Sequence, residues 1–275
     1  LPAEFAADFA HNEWALRTIS PLRAQPACDN YLRCGGCRMQ HIPYETTLRY
    51  KEEWLISQLT RNKVEVDAPQ FHDLPEKARL HYRNHVQVHI NKFGTYGFYE
   101  PMSYRTRAFP NHGCLIFDEK SLRGHFPAFP VEVRAARIRQ NIDGKAVFTV
   151  LNSKEEKAAL ARYTIAWPEL RKIDIDFPVT NFFQANLHAL PDWLGAISRF
   201  FDRANVKNPR VLELFSGFGF ISRMQSLVRP MQVFAIDILT KEQVDAVSFS
   251  EGGERLVSSF GAGYRQVDLF LPARF

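Results

Sequence analysis

The sequence predicts an α/β chain in which a doubly wound parallel sheet follows an α+β domain. Two apolar, strand-like runs late in the chain end in special residue types, the first at a glycine turn and the second at an acid. Upstream, apolar and polar residues alternate from Tyr82 to Tyr99, and three cysteines precede them on one short loop. Strand, glycine turn, helix, strand and acid form the opening of a doubly wound nucleotide-binding sheet.

Composition excludes several classes of protein. The 275 residues are 45% hydrophobic and 24% charged, which is typical of a globular chain and not of a disordered or fibrous one. A membrane span needs about 18 consecutive apolar residues, and no apolar run in the sequence approaches that length. We therefore expect no membrane partner, and we also expect no signal peptide. Four cysteines are too few for a disulfide scaffold, so we expect a reducing, cytoplasmic setting. The net charge of +5 is compatible with a nucleic-acid partner.

The first part of the chain has mixed signals. Residues 1–27 are predicted to be a lead-in segment, and residues 28–43 a tight loop. Helical spacing of leucines predicts a helix from Tyr44 to Leu59, and alternation predicts a strand whose Val86, Val88 and Ile90 share one face.

Further along, a strand is predicted from Ala146 to Leu151 and a helix from Ser153 to Tyr163. Residues 28–177 are therefore predicted to be an α+β domain.

Residues 178–275 are predicted to form the second domain. An amphipathic helix covers Leu187 to Ala204, and a buried strand covers Arg210 to Phe215. A second strand, Val233 to Ile236, and a short third strand near Tyr264–Val267 follow. With only three strands, this sheet is predicted to be incomplete.

The cysteines suggest a metal or cluster site. Cys28, Cys34 and Cys37 lie within ten residues, and Cys114 stands alone. Three clustered ligands and one remote ligand favour an iron–sulfur cluster, since a zinc site would more often show two C-x2-C pairs. Zinc, or simply buried cysteines, remain as alternatives.

The glycine turn is a candidate cofactor cradle. Gly217 and Gly219 would allow a ligand close to the backbone, and Asp237 ends the next strand, where a carboxylate accepts ribose hydroxyls. Glu213 is expected to bind donors of the turn. The alternatives are that Asp237 is a helix cap or a surface acid, and that Glu213 is a solvated acid.

Basic and aromatic residues mix from Lys77 to Arg107. That stretch contains six lysines and arginines in total and one acidic residue, Glu100. Such mixing is typical of RNA-binding surfaces, and ordinary solvated strand faces are the alternative.

Several motifs together resemble one family. The segment Cys28-x5-Cys34-Gly-Gly-Cys37-x2-Gln40-His41 is similar to the iron–sulfur signature of bacterial 23S rRNA (uracil-5-)-methyltransferases. The order of the other matches agrees with that family: Tyr82-Arg83-Asn84, Gly97-Phe98-Tyr99, Phe182-x-Gln184-x-Asn186 and Glu213-Leu-Phe-Ser-Gly217-Phe-Gly219.

The resemblance implies a Rossmann-like class I methyltransferase sheet, S-adenosylmethionine as the methyl donor and 23S rRNA as the substrate. It also implies that Cys28, Cys34, Cys37 and Cys114 hold a structural 4Fe–4S cluster. The residues implied for the methyl donor are Gln184, Glu213, Gly217, Gly219 and Asp237. Read without the family, Gln184 and Asn186 would be capping residues. Arg83, Arg105 and Arg107 are predicted to contact RNA.

The catalytic residues are not predicted. Methylation of uracil C5 needs a thiolate that attacks C6, and all four cysteines are assigned to the cluster. We therefore expect the methyltransferase domain to be incomplete in this chain, and the chain alone to form no 5-methyluridine. The alternatives are a catalytically reduced, RNA-binding iron–sulfur protein of the same family and a methyltransferase acting on an RNA atom that needs no thiolate.

Overall fold

The computed structural model describes most of the chain and bears out a mixed α/β fold. The described residues are 23–65, 73–118, 132–140, 146–151, 159–167, 171–256 and 264–266. Most of the predicted lead-in segment lies outside them. Among the helices of these ranges, none combines the length and the hydropathy that a membrane span requires.

The chain divides into two packing units, which are described separately. The first holds residues 1–80 and 87–136, and the second holds residues 81–86 and 137–275. This division differs from the limits predicted from the sequence, and those limits remain predictions about functional domains.

One helix and a β-meander shape the first unit. Helix α1 spans Tyr44–Arg61, close to its predicted bounds. Strands β1 (His85–Ile90), β2 (Tyr96–Tyr99) and β3 (Thr106–Ala108) pair antiparallel in that order. The predicted alternation is confirmed, since the three apolar side chains of β1 are buried. Strands β4 (Ala135–Gln140) and β5 (Ala146–Val150) follow in the chain, and all of β5 and most of β4 belong to the second unit.

The second unit contains an antiparallel sheet that the sequence analysis missed. Its strands are β6 (Leu160–Ala166), β7 (Lys172–Pro178), β10 (Ser248–Glu251) and β11 (Glu254–Arg255), in the order β11-β10-β7-β6.

The helix predicted for Ser153–Tyr163 is wrong at its C-terminal end, which belongs to β6; residues 152–158 lie outside the described ranges. Ala161, Tyr163 and Ile165 are buried at every second position, and this strand period outweighs the helix-forming residues before it.

The second unit also contains a parallel sheet with its helices. Helix α2 (Leu190–Ala204) leads to β8 (Arg210–Leu214), α3 (Phe220–Ser226), β9 (Gln232–Asp237), α4 (Lys241–Asp245) and β12 (Tyr264–Gln266). The strand order is β12-β9-β8, and both pairings are parallel. These helices and strands confirm the predicted elements, while their assignment to a Rossmann-like methyltransferase sheet remains a prediction.

The prediction that β8 is buried is wrong. Leu212 is 60% exposed and Leu214 is 50% exposed. Phe234, which pairs with Leu212 across the sheet, is 44% exposed. A run of apolar residues shows strand propensity but does not show which face of the sheet is covered.

The core of the second unit is rich in aromatic rings. Phe183 stacks on Phe177 with ring centroids 5.0 Å apart and on Phe218 at 5.9 Å. Tyr163 and Phe220 contact the Phe183 ring edge-on or at a tilt. These side chains are all buried, so the segment before α2 and the turn after β8 share one core.

Candidate functional site: the ends of two parallel strands and a cysteine cavity

The turn between β8 and α3 has an unusual backbone. Phe215, Gly217 and Gly219 all have positive φ angles, of 55°, 56° and 75°. Glycine adopts such angles without cost, whereas Phe215 pays about 1–2 kcal/mol in the left-handed region. Strained turns of this kind are concentrated at functional sites, and the predicted cofactor turn is therefore a sharply folded segment.

Asp237 joins this turn to the end of β9. Its Oδ2 accepts a hydrogen bond of 2.6 Å from the Gly217 N–H, and its Oδ1 accepts one of 3.1 Å from the Leu239 N–H. The alternative that Asp237 caps a helix is wrong, because Thr240 is the N-cap of the helix that follows; the Asp237 carboxylate instead accepts from backbone donors of two turns. Each carboxylate oxygen keeps a further acceptor position, so Asp237 can still accept a hydroxyl from a ligand.

Glu213 has a different partner from the one expected. Its carboxylate accepts a short hydrogen bond from the Ser222 hydroxyl of α3, and also a bond from the Ser222 N–H. Burial raises the pKa of Glu213, and these two bonds oppose that rise. Glu213 therefore anchors the first turns of α3 to β8.

The segment Phe182–Asn186 is held mainly by Asn84. The Asn84 side-chain amide donates to the Gln184 carbonyl at 2.7 Å, and the Asn84 backbone N–H donates to the Ala185 carbonyl at 3.0 Å. Asn186 accepts the His188 N–H at 3.0 Å and begins the helical turn before α2, as the capping alternative anticipated. Phe182 is 73% exposed, next to the buried Phe183.

Two arginines that the sequence analysis missed hold the chain just before this segment. Arg139, only 1% exposed, donates to the carbonyls of Val179 and Asn181. Arg137 donates to the Thr180 carbonyl at 2.5 Å. Three successive carbonyls are thereby bound by β4, which positions the Phe182–Asn186 segment. No motif signals this role, because it depends on which carbonyls β4 meets.

Arg83 lies in the same unit and pairs through its backbone with Asn186. Together with Arg137 and Arg139 it affects the neighbouring His85. Burial first, and then the charges of these arginines, lower the pKa of His85 to about 4. His85 is therefore neutral at pH 7.

The structure brings the methyl-donor candidates together in part. Gln184 follows Phe183, and Gly217 and Gly219 flank Phe218; the rings of Phe183 and Phe218 are stacked and nearly parallel, with an interplanar angle of 5°. The bond from Gly217 to Asp237 adds the end of β9. The segments that hold the five candidate residues are thus linked by one ring stack and by the hydrogen bond between Gly217 and Asp237.

In the first unit, all four cysteines line one cavity. None of the four forms a disulfide, and the other lining groups are mostly apolar or aromatic. The Gly36 N–H donates to Cys34 Sγ at 3.4 Å, and Gln40 accepts the Cys28 N–H at 3.1 Å. The backbone N–H groups of Ile116 and Phe117 donate to Cys114. The structure therefore places the remote fourth cysteine beside the three clustered ones, and the binding of a metal or cluster by the four stays a prediction.

The same cavity is narrow. Its free volume is about 20 Å³, which is room for about one water molecule. In the described ranges, no three His, Cys, Asp or Glu side chains are arranged to hold a metal ion. Burial raises the pKa of Cys34, and it raises that of Cys114 to about 11. The donor set suits a thiolate-bound group, but a four-iron cube would require the side chains to move apart.

The other two residues predicted to contact RNA, Arg105 and Arg107, are in the first unit and differ in how closely they bind an acid. Arg107 forms a short ion pair with Glu100, whose carboxylate is mostly buried. Arg105 reaches the same carboxylate only at 3.7 Å and is 76% exposed. Of the aromatic residues in this stretch, Tyr96 and Phe98 are half-buried and pack on Phe109.

Comparison with known proteins defines the class of chain that this one resembles. No protein-family model matches it. A protein of Leptospira interrogans serogroup Icterohaemorrhagiae serovar copenhageni (strain Fiocruz L1-130), named an uncharacterized RNA methyltransferase, is 27% identical over 217 residues. That match covers 75% of this chain and 51% of the relative.

Shorter matches are more similar and carry the same name. A Clostridium tetani (strain Massachusetts / E88) protein is 34% identical over 108 residues, which are 38% of this chain and 23% of that protein. An Aquifex aeolicus (strain VF5) protein is 38% identical over 80 residues, which are 29% of this chain and 19% of that protein. The chain is thus similar to proteins named RNA methyltransferases and spans about half the length of the Leptospira interrogans relative.

Proposed function

We propose that this chain provides the methyl-donor and RNA-binding parts of an RNA (uracil-5-)-methyltransferase that uses S-adenosylmethionine and acts on 23S rRNA. The observation that carries the proposal is the contact of Asp237 with Gly217 at the ends of two adjacent parallel strands. Ligands of parallel sheets bind at the carboxyl ends of the strands, where a glycine turn and an acid meet. The names of the similar proteins support the transfer of a methyl group to RNA.

The residues of the chain have separate tasks in this proposal. Asp237 accepts the ribose hydroxyls of the donor while it holds the Gly217 turn. Gln184, positioned by Asn84, binds the donor from the neighbouring segment. Bound S-adenosylmethionine supplies an electrophilic methyl group. We assign no residue of this chain as the nucleophile that activates uracil.

We further propose that Cys28, Cys34, Cys37 and Cys114 hold a 4Fe–4S cluster. Four thiols lining one apolar cavity, with N–H groups donating to two of the sulfur atoms, are the donor set that such clusters use. The cluster would join the loop of residues 28–37 to the segment around Cys114. A cluster of this kind persists in a reducing compartment, and we place the protein in the cytoplasm.

Replacement of Asp237 tests the methyl-donor site. We expect Asp237→Ala to weaken the binding of S-adenosylhomocysteine by about 1.5–3 kcal/mol, the range for hydrogen bonds to a charged group. Isothermal titration calorimetry of the variant and of the parent chain measures this loss of affinity. A thermal melt of both shows whether the variant still folds with its turn intact. Asp245→Ala, which removes an exposed acid of α4, is the matched control and should bind as the parent does.

Unchanged affinity in Asp237→Ala would remove Asp237 from the site. A parent chain that binds no donor at millimolar concentration would instead favour the catalytically reduced, RNA-binding protein.

Replacement of Cys34 tests the cluster. We expect the chain purified without oxygen to carry about four irons and four sulfides, and Cys34→Ser to lose the brown absorption and unfold more readily. Iron and sulfide assays with the visible spectrum give the result. Ser57→Ala, in α1 and outside the lining of the cysteine cavity, should keep the full iron content. Stoichiometric zinc without iron would contradict the cluster.

A further inference from the structure

An open cleft in the first unit is not used by the methyl-donor site or by the cysteine cavity. It has a volume of about 950 Å³, at the upper end of the range for small-ligand sites. The turn from Asn91 to Thr95 lines one part of it, and the turn from Glu100 to Arg105 lines another. Tyr99 of β2 and Arg134 also line it. All these residues belong to the same packing unit.

The cleft presents aromatic rings to solvent. Tyr104 is 91% exposed, and its ring stands edge-on to that of Tyr99, with 5.8 Å between the centroids. His89 stacks on the Tyr99 ring at 3.5 Å across Gly97, which has no side chain to separate them. Phe93, on the other turn, is 80% exposed. The exposed Tyr104 ring therefore contacts the ring of Tyr99, which is itself stacked on His89.

The charges around these rings are mostly positive. The cleft contains four basic side chains, Lys92, Arg105, Arg107 and Arg134, and two acids, Asp29 and Glu100. The short ion pair with Arg107 occupies Glu100, so Arg105 gains little from that acid at 3.7 Å. The Lys92 ammonium lies 5.0 Å from the centre of the Phe93 ring. Phe93 and Tyr104 thus each have an exposed cation, Lys92 or Arg105, as a sequence neighbour.

Exposed rings beside cations suit single-stranded RNA better than a peptide. An unpaired base stacks on a flat ring, while the phosphates on either side of it meet the cations. A protein partner would instead need a continuous apolar patch, and the polar side chains between these rings interrupt one.

We propose that this cleft is a single-stranded RNA subsite in which an unpaired base stacks on Tyr104, and Arg105 and Lys92 bind the adjacent phosphates. The inference rests on the proposed function for its RNA substrate and adds the position at which a loop of that substrate is held. It also separates the two arginines that the sequence treats alike: Arg105 contacts RNA, and Arg107 supports the turn through Glu100.

Binding of a fluorescein-labelled decauridylate tests the subsite. We expect Tyr104→Ala to raise the Kd about 5-fold to 150-fold, the range for the loss of one stacked base, and Tyr104→Phe to restore parental binding. Arg105→Ala should lower the slope of log Kd against log salt by about 0.7, the value for one phosphate contact on a single strand. Fluorescence anisotropy at several salt concentrations measures both effects.

The controls separate the subsite from the proposed function. Phe200→Ala removes another exposed ring, on α2, and should bind as the parent does. If the parent binds decauridylate and Tyr104→Ala binds equally well, the subsite is wrong and the RNA substrate stands. If polyglutamate displaces the RNA and Tyr104→Leu keeps full affinity, the cleft binds anions without stacking. If the parent binds no RNA at low salt, both the subsite and the RNA substrate fail.

Discussion

Phe183→Ala is expected to lower the free energy of unfolding by about 3–5 kcal/mol, the usual cost of removing a buried phenyl ring. The ring is 2% exposed and lies in contact with four other aromatic side chains of the core. Its loss would leave a cavity beside Phe177 and Phe218, which stack on each other at 5.6 Å and cannot fill it without moving. Urea unfolding followed by circular dichroism measures the change.

The neighbouring residue provides the control. Phe182→Ala makes the same chemical change one position earlier, where the ring is exposed, and should alter stability by less than about 0.5 kcal/mol. Because Phe218 lies in the glycine turn, Phe183→Ala should also weaken donor binding. Equal stability losses for the two variants would show that the ring stack does not carry the core.

Gly97→Ala is expected to separate β2 from β3. A Cβ at this position would lie 1.9 Å from the Arg107 carbonyl oxygen and 3.2 Å from the Ala108 Cα. Both are backbone atoms, so no side-chain rotation relieves the clash. Overpacking costs about 1–3 kcal/mol, and each broken strand bond about 1 kcal/mol more. We expect a loss of about 2–4 kcal/mol in the urea unfolding of the first unit.

Gly94→Ala is the comparison for this variant. Gly94 has a φ of 77°, yet nothing lies within 4 Å of its would-be Cβ, so only backbone strain of about 1–2 kcal/mol is expected. Gly97→Ala should also weaken decauridylate binding, since His89 and Tyr99 stack across that glycine. If Gly97→Ala were no less stable than Gly94→Ala, the close pairing of β2 and β3 would be contradicted.

The candidate site was predictable from the sequence where a motif reports a local requirement. Gly217 and Gly219 do adopt positive φ angles, and Asp237 does reach the glycine turn. The partner of Glu213 was not predictable, since it depends on how α3 lies on β8. The holding role of Arg139 was not predictable either, because arginine is rarely buried and the two carbonyls that it binds come from a distant segment.

The stretch of basic and aromatic residues from Lys77 to Arg107 shows the same limit of prediction from sequence. Sequence mixing of aromatic and basic residues indicated an RNA surface, but it treated Tyr96, Phe98 and Tyr99 alike. The strand period separates them, since alternate side chains point to opposite faces. Tyr96 and Phe98 pack on Phe109, while Tyr99 lines the cleft. Tyr104, the most exposed ring of the cleft, lies in a turn, where no period predicts orientation.

By itself the sequence determined the periods, turns and motifs: helix α1, the alternation of β1, the order of β8, α3 and β9, and the spacing of the cysteines. Each depends on residues near one another in the chain, whose propensities and side-chain periods act locally. Tertiary structure decided that residues 160–163 form a strand and that Leu212 remains exposed. It also decided that Cys114 joins the other three cysteines and that Arg107, not Arg105, binds Glu100 closely. These outcomes depend on which distant surfaces meet, and the free energy of burial and pairing there exceeds any local preference.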